Sequence, residues 1–251
     1  LFNGQGADEL YGGYPDHFVE AWQSEKDEIL PYAANFPMSL DRIKKIAWKR
    51  KLRQRMSQDW KHRMDRFFWG HLFTKELINS NEMELHPKVE NVKELMMGEY
   101  YGANVNGKFY GRLYQMLQWE DRNGMAFQLE SRNPFADDLH LPQHVLGKKL
   151  LHELMEGGRS KGILREAAKN YLPEAIYNRT DKKGFSVPEA NLTRKWGGEW
   201  NSWIMSSQLD HVINRDYREK LISKFPQLTP KDLSIYFRMA SIGLFLERLD
   251  G

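Results

Sequence analysis

Apolar side chains recur at three-to-four spacing along most of this chain and almost nowhere alternate with polar ones. That pattern buries one stripe of a helix and offers a strand no dry face, so the chain reads as mainly α. Ser39 can cap a helix carrying Leu40, Ile43, Ile46, Ala47 and Leu52. A second helix, from Trp60 to Leu72, places Trp60, Met64, Phe67, Phe68 and Leu72 at the same spacing, and the two are expected to share a core. Val89 to Tyr101 and Lys108 to Gln128 also read as helices. Thr229-Pro230-Lys231-Asp232 supplies a cap, a proline at the first helical position and an early acid; Ile235, Phe237, Met239 and Ile242 to Leu246 then continue a long C-terminal helix. Gly, Pro and Asn gather at 31–37, 102–107, 131–142, 157–162 and 181–188, which are expected loops. No repeat, heptad register or flexible linker divides the 251 residues, and a single domain is the expectation.

With 41% hydrophobic and 28% charged residues the chain can bury a sizeable core, which excludes disorder and low complexity. No window approaches 18 uninterrupted apolar residues, and the start lacks a signal peptide's basic and apolar regions; membrane spanning and secretion are not expected, and the cytoplasm is the expected location. The absence of cysteine removes disulfides, thiolate zinc sites and cysteine nucleophiles. The net charge of +3 is local in origin: residues 41 to 66 hold eleven Lys and Arg against three Asp, or +8, leaving −5 elsewhere. Charge runs on helices are usually solvated faces, so nucleic acid is not the expected partner. Leu1-Phe2 running straight into glycines reads as the end of a buried strand, and the chain as a fragment.

Chemistry concentrates in three stretches. In Asn3-Gly4-Gln5-Gly6-Ala7-Asp8-Glu9-Leu10-Tyr11-Gly12-Gly13-Tyr14, Gly4 and Gly6 permit close backbone approach to an anion where a strand hands over to a helix. It is neither a Walker loop nor G-x-G-x-x-G, since Glu9 stands where the third glycine belongs. Asp8 and Glu9 could bind Mg²⁺ or could simply complement a helix dipole. Glu130, Arg132 and Asp137 flank an Asn-Pro-Phe turn and, by themselves, read as a charge cluster holding it. Lys161, Arg165 and Lys169 fall on one helix face opposite Ile163, Leu164, Ala167, Ala168 and Leu172. A cation at a helix start opposes the dipole, so Lys161 calls for a compensating anion. The eight histidines form no H-E-x-x-H, and His140 with His144, interrupted by Pro142, is rejected as a metal site.

Asn3 to Tyr14 closely resembles the S-G-x-G-x-D-E-x-x-G-G-Y motif of asparagine synthetases. Asp121-Arg122-Asn123-Gly124-Met125-Ala126 with Glu130-Ser131-Arg132-Asn133-Pro134-Phe135-Ala136-Asp137 resembles that family's D-R-x-x-M-A-x-x-x-E-x-R-x-P-F-x-D. Lys161-Gly162-Ile163-Leu164-Arg165-Glu166, Leu172-Pro173 and Lys183-Gly184-Phe185 resemble its K-x-x-L-R-E, L-P and K-x-G-F elements. Three blocks in order carry the resemblance over residues 1 to 188, with a compatible helical tail beyond.

The resemblance implies the C-terminal helical part of an α/β adenine-nucleotide-hydrolase-like (ATP-pyrophosphatase) domain with few or no strands retained. It also implies a ligase of the glutamine-hydrolysing asparagine synthase type, which adenylates the aspartate side chain using ATP and Mg²⁺ and then transfers ammonia. Asn3, Gly4, Gly6, Lys161 and Arg165 would hold the phosphates, Asp8 the metal, and Glu130 and Arg132 the acceptor pocket, with Asp137 fixing the loop. Lys161, Gln5 and Glu130 fall at catalytic positions. The basic loop of Arg179, Lys182 and Lys183 would lie at the mouth of the site. Gln5 stands where many synthetases carry Asp or Glu and cannot act as a base; Asn3 stands where many carry Ser. The S-G-G-x-D-S loop is absent, since Glu156-Gly157-Gly158-Arg159-Ser160 lacks the leading Ser and the Asp. The glutamine-hydrolysing domain is absent too, so the missing N-terminal part of the same protein is an expected partner and the fragment alone is expected to be inactive. A homo-oligomer is left open, as are two other readings: an amide-forming relative with another acceptor acid, and a noncatalytic helical binding module.

Overall fold

The computed structural model describes residues 1–75, 77, 89–105, 108–147, 151–155, 158–179 and 187–249. In chain order these form α1 (Ala7–Tyr11), α2 (Pro15–Ser24), α3 (Lys26–Ile29), α4 (Leu40–Arg55), α5 (Gln58–Trp69), α6 (Val92–Tyr101), β1 (Ala103–Val105) and β2 (Lys108–Tyr110). Then come α7 (Arg112–Met125), α8 (Pro134–Asp137), α9 (His140–Leu146), α10 (Gly162–Ala168) and α11 (Glu174–Tyr177). The tail holds α12 (Glu189–Trp196), α13 (Asn201–Ile204), α14 (Arg215–Lys224) and α15 (Pro230–Leu249). The structure is mainly helical, as the periodicity predicts. No helix among the described residues is long and apolar enough to cross a membrane. The backbone clusters into two compact units, Leu1–Gln54 with His86–Lys183 and Arg55–Leu85 with Gly184–Gly251.

In the first unit Leu10, Phe18, Ile29, Ile43, Leu151 and Met155 are fully buried. α4 contributes Ile43 and Ala47, whereas Leu52, expected on the same stripe, is exposed together with Trp48. α6 starts three residues later than Val89 because Asn91 caps it: its Oδ1 accepts from the Glu94 amide at 3.0 Å while the Glu94 carboxylate accepts from the Glu90 amide at 2.7 Å. The helix expected from Lys108 begins only at Arg112. Lys108–Tyr110 instead pairs antiparallel with Ala103–Val105, Ala103 opposite Tyr110. Asn106-Gly107 between the two runs is the dipeptide that favours a two-residue hairpin, a signal that outranks the helical spacing.

Buried charge ties the helices together. His17 Nε2 and Glu99 Oε2 are 2.5 Å apart with both side chains fully buried, and Arg112 reaches the other Glu99 oxygen at 3.2 Å. Asp16 accepts from Arg50 at 2.6 Å. Glu25, also buried, accepts from the Leu151 amide at 2.8 Å. Burial pushes its carboxyl up from the ordinary 4.5 to about 7, with Glu28 and Glu153 adding to the rise against the Leu151 and His152 amides. An acid whose pKa is raised by folding binds more protons folded than unfolded between those values, so it erodes stability as pH rises from about 4.5 to 7. Glu25→Gln keeps the acceptor for Leu151 without the charge. It is expected to match the parent at pH 4 and to be more stable at pH 8; urea melts showing the same pH slope in both proteins would refute this.

The second unit packs around Ile204, Leu209, Leu233 and Tyr236. Thr229 caps α15 as predicted, its hydroxyl accepting from the Asp232 amide at 3.2 Å and donating to that carboxylate at 2.8 Å. The buried stripe of α15 is Leu233, Tyr236, Met239, Ala240 and Gly243, while Ile242 and Phe245 are exposed. Arg218 is fully buried, donating to the Ile204 and Ser206 carbonyls and pairing with Asp210. The end of the α5 segment belongs here: Leu72 joins this core, Phe73 bridges Ile213, and Asn214 donates to the Gly70 and Phe73 carbonyls. The shared core expected for α4 and α5 is therefore overturned, since Ile43 and Ala47 lie in the first cluster and Leu72 in the second.

Candidate functional site

The opening residues are held by backbone pairing. Phe2 forms a parallel bridge with Arg132, the Arg132 amide donating to Leu1 O at 2.7 Å and the Asn3 amide to Arg132 O at 3.1 Å. Asn3 then folds the loop on itself: its Oδ1 accepts from the Gln5 amide at 2.9 Å, and its Nδ2 donates to Glu120. Gly6 takes φ 96°, a left-handed value that favours glycine, and α1 starts at once. The strand-to-helix handover expected at Gly4 and Gly6 thus exists, reduced to one bridge, a turn and five helical residues.

Adjacent acids on α1 have opposite fates. Glu9 points inward and is fully buried, accepting from the Tyr14 hydroxyl at 2.6 Å, and burial above all raises its pKa. Tyr14 in turn lies under the Arg112 guanidinium, 4.1 Å from ring centre to Cζ. Asp8 is only partly buried, and its Oδ1 stands 2.8 Å from Lys161 Nζ with each side chain about a quarter exposed. The anion that compensates Lys161 at the start of α10 is therefore Asp8, 153 positions away in the chain.

Gly13 makes that meeting possible. A Cβ there would fall 1.6 Å from Asp8 Oδ1 and 2.5 Å from Lys161 Cε, so any larger residue would force the ends of both side chains to shift. Lys161 itself adopts φ 57° and ψ 35°, a left-handed conformation that costs a non-glycine residue about 1 kcal/mol. The Ser160 hydroxyl meets the Gly12 carbonyl at 3.4 Å, a second link between the same two turns.

The remaining predicted residues divide. Glu130 and Arg132 form an exposed ion pair at 2.6 Å and join the glycine loop through the backbone of residues 1–3. Asp137 accepts from the Asn133 amide at 3.0 Å, which closes the Asn-Pro-Phe turn. Tyr100 donates to Phe135 O at 2.8 Å, and the Phe135 ring meets Tyr11 edge-on, so this turn packs directly on α1. Gln5 contributes its backbone amide to the loop. Arg165 does not extend a cationic stripe with Lys161: its guanidinium donates to the carbonyls of Ser160, Ile176 and Tyr177. Lys169 lies 3.9 Å from Glu166. Lys182 and the Lys183-Gly184-Phe185 element lie outside the described residues. Sequence reasoning overlooked Gly13, whose role needs the fold, and the Glu9–Tyr14 bond, which the five-residue spacing inside one motif could have suggested.

A carboxylate beside a lysine at a turn of small residues can bind a divalent cation and the oxyanions of a phosphate chain. Among the described residues no group of three or more His, Asp or Glu could hold a metal ion. Asp8 alone would suit Mg²⁺ as one carboxylate ligand completed by phosphate oxygens and waters.

The sequence matches the family described as asparagine synthase over residues 1–233, a span that includes all of the first unit and most of the second. A glutamine-hydrolyzing asparagine synthetase 1 of Bacillus subtilis (strain 168) is 36% identical over 104 residues, 41% of this chain and 16% of that protein. The aligned part thus spans about a sixth of that relative's length. No solved structure matches the chain.

Proposed function

The chain belongs to the asparagine synthase family, and from that membership we propose that it forms the pyrophosphate-side part of an ATP-dependent asparagine synthetase within a longer protein. The proposed reaction activates the side-chain carboxylate of aspartate with ATP, giving an acyl-adenylate and pyrophosphate; ammonia then attacks the acyl carbon and AMP leaves as asparagine forms. The parent fold in this reading is the ATP-pyrophosphatase domain, whose adenine-binding half lies outside this chain.

The observation that supports this best is the 2.8 Å contact of Lys161 with Asp8 against Gly13, which joins the first and third motif blocks at one point. Asp8 would hold Mg²⁺, which neutralises phosphate charge when bound. The Lys161 ammonium, released from Asp8 to the phosphates, stabilises negative charge as the bond to pyrophosphate breaks. The loop of Asn3, Gly4 and Gly6 lets the backbone approach those phosphates closely. Glu130 and Arg132 offer both charges of an amino-acid acceptor their complements, carboxylate for ammonium and guanidinium for carboxylate.

ATP–pyrophosphate exchange in the full-length protein tests the reading. Exchange is expected to require both aspartate and Mg²⁺. Asp8→Asn is expected to raise the Mg²⁺ concentration for half-maximal exchange by roughly tenfold or more, because it removes an anionic ligand without changing shape. Exchange that is independent of aspartate would defeat the substrate assignment, and an unchanged Mg²⁺ dependence would leave Asp8 as a partner of Lys161 alone.

A further inference from the structure

The geometry points to Arg165 as a positioning residue that fixes the turn ahead of Lys161 and so aims the Lys161 ammonium at Asp8. This rests on the reading that Lys161 acts on the phosphates, and it gives Arg165 a backbone role in place of a phosphate contact.

One peptide plane governs the backbone of Lys161. Lys161 sits at positive φ immediately before α10, a conformation an L-residue keeps only where its surroundings impose it. The peptide between Ser160 and Lys161 is the one whose rotation would carry Lys161 out of that region. Its carbonyl is pinned: Arg165 Nε donates to Ser160 O at 3.0 Å. The same guanidinium reaches across to the C-terminal carbonyls of α11, Nη1 donating to Ile176 O at 3.1 Å and to Tyr177 O at 3.0 Å. One planar fork therefore spans the turn and the neighbouring helix.

The anchor itself is braced. Arg159 Nη1 donates to Tyr177 O at 2.8 Å while its guanidinium stacks on the Tyr177 ring at 4.3 Å. Glu166 accepts from the Tyr177 hydroxyl and from Arg159. The residues on both sides of Ser160 and Lys161 are thus fastened to one short helix.

Arg165→Lys in the full-length enzyme separates this from a phosphate contact, because lysine keeps the charge but cannot bridge three carbonyls. The expected result is an exchange kcat lower by about a hundredfold at unchanged KM for ATP. No further loss is expected when the substitution is added to Lys161→Ala, since both act through one group. A crystal structure of Arg165→Lys is expected to show Lys161 out of positive φ and its ammonium away from Asp8. The proposal is overturned if that structure retains the Lys161–Asp8 contact, if KM for ATP rises while kcat holds, or if the two substitutions lose activity additively. If Lys161 is displaced in the variant yet Lys161→Ala exchanges at the normal rate, the positioning role stands and the part given to Lys161 in catalysis falls. Should Arg165→Lys not fold, Arg165→Gln removes the charge as well as the fork, and it is judged by the Lys161 conformation in its crystal structure and by the double substitution with Lys161→Ala: Lys161 kept at positive φ on Asp8, or additive losses, overturns the proposal.

Discussion

Lys161→Ala in the full-length enzyme is expected to lower the ATP–pyrophosphate exchange rate by about 10²–10³-fold, with substrate affinity much less affected. A positioned cation contributes most where negative charge grows, and Lys161 is positioned on both sides, by its left-handed backbone and by its 2.8 Å contact with Asp8. Lys161→Gly offers a cleaner version: glycine holds φ 57° without strain, so the ammonium is lost while the local conformation is eased. A glycine variant that melts no earlier than the parent yet fails to exchange would tie the loss to the charge. Lys161→Arg should not restore the rate, because a guanidinium fork differs in shape from a compact ammonium. Lys169→Ala is the control, since that lysine is 59% exposed and sits by Glu166. Equal losses at 161 and 169 would mean a diffuse field and no special place for Lys161.

Glu99→Ala should be the most destabilising single change in the first unit, by about 3 kcal/mol or more in urea unfolding at neutral pH. Glu99 is fully buried and serves two partners on two helices, His17 at 2.5 Å and Arg112 at 3.2 Å. Truncation leaves the fully buried His17 without its carboxylate partner and opens a void, whereas Arg112 keeps Asp16 at 3.4 Å. Arg112 is 28% exposed and can turn partly toward water, which places the estimate at the lower end of what breaking a buried pair costs. A loss below about 1 kcal/mol would show that the network does not hold α2, α6 and α7 together.

Sequence reading reached the elements whose signal is local. The Thr229-Pro230 start of α15 needs only its own four residues, and the three motif blocks carry the glycine loop, the Asp137-closed turn and Lys161 with them. Features decided by neighbours were less legible. Arg165 has the charge and helical spacing of a phosphate ligand, and its bonds to the carbonyls of a helix that starts nine residues later cannot be read from that spacing. On α15 the apolar series found Met239 and the stretch holding Gly243 but passed over Leu233, Tyr236 and Ala240, which also face the core, while Ile242 and Phe245 are exposed. Two cores were invisible for the same reason. Helical periodicity says that a stripe will be covered, while the identity of the cover is a long-range fact.

The two units are interleaved along the chain, and this bears on how the protein is made. The stretch around α5 acquires its partners only when residues near 211–214 arrive: the Thr74 hydroxyl bonds His211 O across 137 positions, and Asn214 bonds Gly70 O across 144. A ribosome adding roughly 5–20 residues per second needs about 7–30 s to cover that distance. Through that interval Leu72 and Phe73 have emerged ahead of the Ile204, Leu209 and Leu233 of their core, while residues 86–183 belong to the other unit. A nascent chain of this design holds the apolar end of its α5 segment in waiting until the tail is synthesised.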